Sequence, residues 1–87
     1  MKAIINNSQV DAWQITTTGD TPDWVMTAFN RKLIWWNIPE KDVLVIATPR
    51  LGVSMGTTGW YLIKSPENTY RVISEKSFHT DYQLVSE

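Results

Sequence analysis

The chain has a single histidine, His79, with Asp81 two residues on, a spacing at which a carboxylate could orient an imidazole for acid–base work. A metal centre would need more ligands, and there is neither a cysteine nor a second histidine. The surroundings therefore favour a surface or turn histidine. Any nucleophile among Ser8, Ser54, Ser65, Ser74, Ser77 and Ser86 would depend on His79 as its base, and none sits in a nucleophile-elbow sequence. The carboxylate pairs Asp20/Asp23 and Glu40/Asp42 fall at a helix start and in a turn, where acids are favoured for structural reasons. Gly52, Gly56 and Gly59 match neither spacing of a phosphate-binding loop. These residues predict no catalytic centre, no cofactor and no metal.

Binding chemistry is better represented. Trp35 and Trp36 are adjacent, so on a strand they point to opposite faces. One can then be buried while the other stands on the far side, exposed unless that side is covered too. Together with Arg31, Lys32 and Arg50 they form a candidate contact group, because Trp and Arg are enriched at interface hot spots. The plainer alternative is that both indoles pack between a helix and a loop. The same group could stack the bases of single-stranded nucleic acid. Eight basic residues scattered among nine acidic ones, for a net charge of −1, argue against that reading.

The elements that would position these residues are legible in turn. Val10–Thr16 is rich in β-formers, and Thr16-Thr17-Thr18-Gly19-Asp20 reads as a loop. Ala3-Ile4-Ile5 adds a short strand that Asn6-Asn7-Ser8 breaks. Thr21-Pro22-Asp23 is a helix start: a capping hydroxyl, a proline at the first helical position, and an acid at the positive end of the dipole. Trp24, Val25, Ala28 and Phe29 follow on one face, and Arg31 and Lys32 suit the negative end, so a helix is expected over residues 22–31.

Leu33–Asn37 reads as a short strand closed by a turn at Ile38-Pro39-Glu40-Lys41. Val43–Ala47 is too apolar to alternate and is expected as a central strand covered on both faces. Pro49 ends it, Arg50-Leu51-Gly52 turns, and Val53-Ser54-Met55 returns, limited by Gly52 and Gly56. Trp60–Lys64 and Tyr70–Ile73 flank Ser65-Pro66-Glu67-Asn68 as a hairpin. A helical turn capped by Ser74 and a last strand at Tyr82–Val85 close the chain. The expected class is α+β: one helix on an antiparallel sheet of about five or six short strands.

Eighty-seven residues suffice for one domain, and 43% hydrophobic with 20% charged residues is an ordinary globular composition. The five tryptophans stand out, and most of them are needed as core in so small a domain. The absence of cysteine, of a signal-like apolar stretch and of a membrane-length run points to a soluble protein of a reducing cytosol.

From Asp42 to Val85 the order of features resembles a family of short phage and prophage proteins of unknown function. The shared elements look like Asp42 before Val43–Thr48, then Gly52, then Trp60-Tyr61-Leu62-Ile63, with Tyr70, Phe78 and Tyr82 completing the series. Val10–Trp13 and Pro22-Asp23-Trp24-Val25 fit upstream. The chain departs from that pattern at Gly59, where the family has an acid, and at Ser65-Pro66, where its turn is Gly-rich. The resemblance carries no catalytic residues and implies a setting, the cytoplasm of a phage-infected bacterium. The resulting expectation is a non-enzymatic accessory protein that contacts a host or phage protein, for instance to inhibit a host factor. A virion structural or assembly protein and a single-strand nucleic-acid binder are the alternatives, and self-association into a homo-oligomer is left open beside any of them.

Overall fold

Asn6 and Asn7 have φ values of 51° and 64°. Asparagine tolerates this left-handed region, and two consecutive positive φ values are what a two-residue type I′ hairpin turn demands. Asn6-Asn7 therefore does more than end a strand. It folds β1 (Lys2–Ile5) back on β2 (Ser8–Gln14), with Ile5 opposite Ser8. The computed structural model describes residues 2–37, 42–48, 52–67 and 69–85. The turns expected at 38–41 and 49–51, and Asn68 in the hairpin loop, lie outside the described residues.

After β2 the chain forms α1 (Asp23–Asn30) and then a meander of β3 (Ile34–Trp36), β4 (Val43–Thr48) and β5 (Gly52–Thr57). It returns through the hairpin β6 (Tyr61–Lys64) and β7 (Tyr70–Ile73), crosses by α2 (Glu75–Asp81) and ends in β8 (Gln83–Val85). Two sheets result, one ordered β7-β6-β2-β1-β8 and the other β3-β4-β5, and the strand pairs described are antiparallel. The α+β class stands, with two corrections. The expected helical turn after Ser74 is a second helix, and the strands divide into a five-stranded and a three-stranded sheet. The division follows from α1, which leads the chain off the first sheet before the apolar strands at 34–48 pair among themselves.

Strand alternation sends the two faces of the five-stranded sheet into two cores. Val10, Ala12, Tyr61 and Ile63 face α2, whose Phe78 is fully buried among them with Tyr82. Phe78 stacks on the Tyr61 ring at 3.8 Å and on Tyr82 at 5.3 Å. Burial, and then the Glu75 carboxylate, push the Tyr61 phenol above its ordinary range. Trp13, Ile15 and Leu62 face the other way, against Val25 and Ala28 of α1 and Ile34, Leu44 and Ile46 of the three-stranded sheet. Val72 of β7 packs on that core, and β4 and β5 lie over β7.

That second face is only partly covered, and its residues change accordingly. Lys2, Asp11 and Lys64 stand side by side across β1, β2 and β6. Asp11 pairs with Lys2, and its second oxygen lies 3.9 Å from the Lys64 ammonium. Part of what this face shows to water is therefore charged.

The ends of the helices show how local sequence acts. Ser74 caps α2 as expected, its hydroxyl accepting the Ser77 N–H at 3.2 Å. Thr21 does not cap α1. The cap position is Pro22, whose carbonyl accepts the N–H groups of Val25 and Met26, so the proline stands one place earlier than the first helical position. At the other end Leu33 N–H donates to Ala28 O and Lys32 N–H to Phe29 O, both at 3.0 Å, which is a Schellman closure. Lys32 occupies its left-handed position with φ 62°, where glycine is the usual residue because a Cβ is strained there. Lys32→Gly is therefore expected to stabilise the fold by roughly 0.5–1 kcal/mol. Thermal denaturation checks this, and an unchanged or lowered midpoint would rule it out.

Candidate functional site

The three-stranded sheet is assembled in three cross-strand rows. Ile34, Ile46 and Ser54 align, as do Trp36, Leu44 and Gly56, and these two rows face the core. The row between them is Trp35, Val45 and Met55, on the outer face. Val43 and Thr57, and Ala47 and Val53, pair on that same outer face. No residue of this group carries a charge. Trp35 is 40% exposed, Met55 58% and Val53 59%, while Val45 is buried with Trp35 and Met55 directly opposite it on either side.

β5 departs from the usual pattern. A strand with one covered face normally turns its apolar residues inward and its polar ones outward. Here Ser54 and Gly56 turn inward while Val53 and Met55 face solvent. A shift of one residue would exchange the faces, so the register has a definite cause. A Cβ built on Gly56 would lie 2.2 Å from Val72 Cγ1, so only a glycine lets β5 approach β7 this closely. With Gly56 required inside, Val53 and Met55 are left outside.

β4 is the central strand of its sheet, as its composition suggested, but a second layer covers only its inner face. Leu44 and Ile46 are fully buried there. On the outer face Val45 is nonetheless buried, between Trp35 and Met55 in its cross-strand row.

The residues singled out in the sequence are distributed as follows. Trp35 is on the outer face, and Trp36 turns inward onto Phe29, with ring centroids 5.9 Å apart. Adjacent indoles thus point to opposite sides, and they do not share one packed site. Arg31 is the C-cap of α1 and lines a groove with Trp24, Thr27, Leu33, Lys64 and Tyr70, none of which belongs to the outer row. Lys32 is exposed in the helix-closing turn. Arg50 lies outside the described residues. Trp35 therefore stands apart from Arg31 and Lys32 and shares its face of the sheet with Val53 and Met55. The signal for these two was the apolar–polar–apolar alternation of Val53-Ser54-Met55, which ordinarily marks a buried face. His79 is exposed on α2 with its ring edge-on to Tyr61 and Phe78, at 5.9 and 5.5 Å. Among the described residues no three of His, Asp and Glu gather where they could hold a metal. Among the described residues no helix is long and apolar enough to cross a membrane.

No protein-family model, curated protein or solved structure matches the chain. The outer face is thus read on its own chemistry. Among its described residues it is uncharged and mostly apolar, with Trp35 on one edge strand and Val53 and Met55 on the other. Such a face offers apolar contact area.

Proposed function

We propose that the protein works by stoichiometric contact with another protein, using the outer face of the three-stranded sheet. The observation that carries this reading is the inverted alternation of β5, which exposes Val53 and Met55 beside Trp35. Contiguous exposed apolar patches on soluble proteins commonly mark contact surfaces, and tryptophan is enriched among the residues that dominate binding energy. The contrast with the other open surface supports the same view. Among the described residues the five-stranded sheet exposes one large apolar side chain, Leu84 on its edge strand, and carries Lys2, Asp11 and Lys64 beside one another, while the outer face of the three-stranded sheet exposes three, Trp35, Val53 and Met55. The resemblance to short phage proteins supplies the setting, an accessory protein acting on a host or phage factor in the bacterial cytoplasm.

The test compares the wild-type chain with Met55→Asp in nuclease-treated bacterial lysate. Met55 is more than half exposed, so this change leaves the thermal midpoint within a few degrees. It places a charge that must be desolvated within the contact. A protein retained at fixed stoichiometry by the wild type and lost at least thirtyfold by the variant is expected, about 2 kcal/mol of binding energy. Equal retention by both chains, or retention of nucleic acid alone, would overturn the reading. Light scattering on the same two chains separates contact between copies from contact with a different protein.

A further inference from the structure

The row Lys2–Asp11–Lys64 runs one strand further. Tyr70 of β7 lies opposite Lys64 of β6, and directly opposed residues share a face. The row therefore crosses four strands on the side of the sheet that α1 partly covers. At its β7 end the helix stands beside it. Trp24 and Thr27 of α1, Arg31 at its C-terminus and Leu33 enclose a groove with Lys64 and Tyr70. Its volume, about 530 Å³, is in the range of ordinary ligand sites.

The charges at this corner do not balance. Asp11 is the one carboxylate of the row, and it is engaged by Lys2. Its other oxygen is 3.9 Å from the Lys64 ammonium, too far for a hydrogen bond. The Lys64 side chain is only 23% exposed, so its charge has lost much of its water for a loose partner. Arg31 meets no carboxylate among the described residues. Both cations line the groove and no acid does. A chain of net charge −1 thus carries a local positive excess, assembled from residues far apart in sequence. The species that complements it is an anion.

The aromatic lining says what else that anion carries. The Trp24 and Tyr70 rings are nearly parallel, inclined by 21° with centroids 6.5 Å apart, and both are half-buried. Ring faces beside cations suit a planar ring with a phosphate attached, since bases stack on aromatics while cations hold the backbone. The planar fork of an arginine matches phosphate oxygens in pairs, and a lysine adds a point charge. We infer that this groove binds a nucleotide, its phosphate between Arg31 and Lys64 and its base against Trp24 and Tyr70. The site is separate from the outer sheet face and independent of it. A free mononucleotide and one residue of a single strand offer the same chemistry, and a strand would run on toward Lys2.

The intact ¹⁵N-labelled protein is titrated with adenosine monophosphate, adenosine, inorganic phosphate and a short adenylate strand. Saturable shifts of the Trp24 indole N–H and of the Arg31 and Tyr70 amides are expected with the monophosphate. Adenosine and phosphate alone are each expected to bind at least about tenfold more weakly. Arg31→Gln, at an exposed helix end, is expected to weaken monophosphate binding about tenfold or more with the rest of the spectrum in place. Arg31→Lys, which keeps the charge and loses the fork, is expected to fall between. A strand bound no tighter than the monophosphate identifies a free nucleotide as the source. One bound at least about tenfold tighter, at one strand per chain, identifies nucleic acid, and either result supports the site. Met55→Asp is expected to bind the monophosphate as the wild type does, so failure here and failure of the sheet-face reading are distinguishable. Absence of saturable shifts to millimolar monophosphate would overturn the inference. So would equal binding of inorganic phosphate, or undiminished binding by Arg31→Gln.

Discussion

Phe78→Ala is expected to cost about 3–5 kcal/mol and to leave much of the protein unfolded at 37 °C. The total available to a chain of 87 residues is only about 4–13 kcal/mol. Phe78 is the only buried residue of α2 and so the main anchor of that helix on the five-stranded sheet, with the exposed His79 ring adding an edge contact to Tyr61. Its ring lies between those of Tyr61 and Tyr82, inclined to them by 8° and 14°. Truncation removes apolar contact with Ala3, Val10, Ala12 and Ile63 as well as two ring pairs worth about 0.5–1.5 kcal/mol each beyond their area. The remaining cavity cannot close, because its walls are strand residues held by cross-strand bonds. Loss of α2 also frees β8, which reaches its place beside β1 only through that helix.

Phe78→Leu keeps most of the volume and loses the stacking, so it is expected to lose less than half as much. A thermal or urea midpoint for each variant decides the matter. A drop under about 5 °C for the alanine variant would mean that α2 is held by something other than this stack, since 1 kcal/mol moves a domain of this size by roughly 4–8 °C.

The parts of this fold that could be read ahead were those encoded by neighbours in sequence. The apolar face of α1, the Ser74 cap and the 61–73 hairpin each depend on residues within a few positions, and each is present. The Asn6-Asn7 turn was legible as a break and not as a hairpin. The residue types say that the chain turns, while only a pairing partner says in which sense. The division into two sheets was not legible, because strand period carries no information about which strands pair. The same limit applied to the outer face. The separation of Trp35 from Trp36 was legible because two adjacent indoles on a strand must point to opposite faces. Val53 and Met55 were missed because alternation ordinarily puts such residues inside, and the reason it fails here is a glycine whose neighbour, Val72, lies sixteen positions along the chain.

That glycine supports the second of the larger predictions. Gly56→Ala is expected to destabilise the fold by close to 3 kcal/mol, the upper end of the ~1–3 kcal/mol typical of overpacking. Gly56 does not have a positive φ, so its backbone accommodates alanine without strain, and the effect is steric alone. The new methyl would lie 2.2 Å from Val72 Cγ1 and 3.1 Å from Ile15 Cδ1. Ile15 can yield at its flexible end, but Val72 is β-branched and stiff at χ1 on a strand paired with β6. Relief then requires β5 to lift off β7, which opens the core shared by Ile15, Leu44 and Leu62. The small gain from restricting the unfolded chain, about 0.4–1 kcal/mol, does not offset this.

A double-mutant cycle isolates the cause. Val72→Ala alone leaves a void against Gly56 and destabilises. Adding Gly56→Ala to it fills that void, so the second substitution is expected to be neutral or stabilising in the Val72→Ala background while harmful in the wild type. Additive losses in the two backgrounds would show that the sheets do not meet at this pair. In that case the register of β5, and with it the exposure of Val53 and Met55, would need another cause.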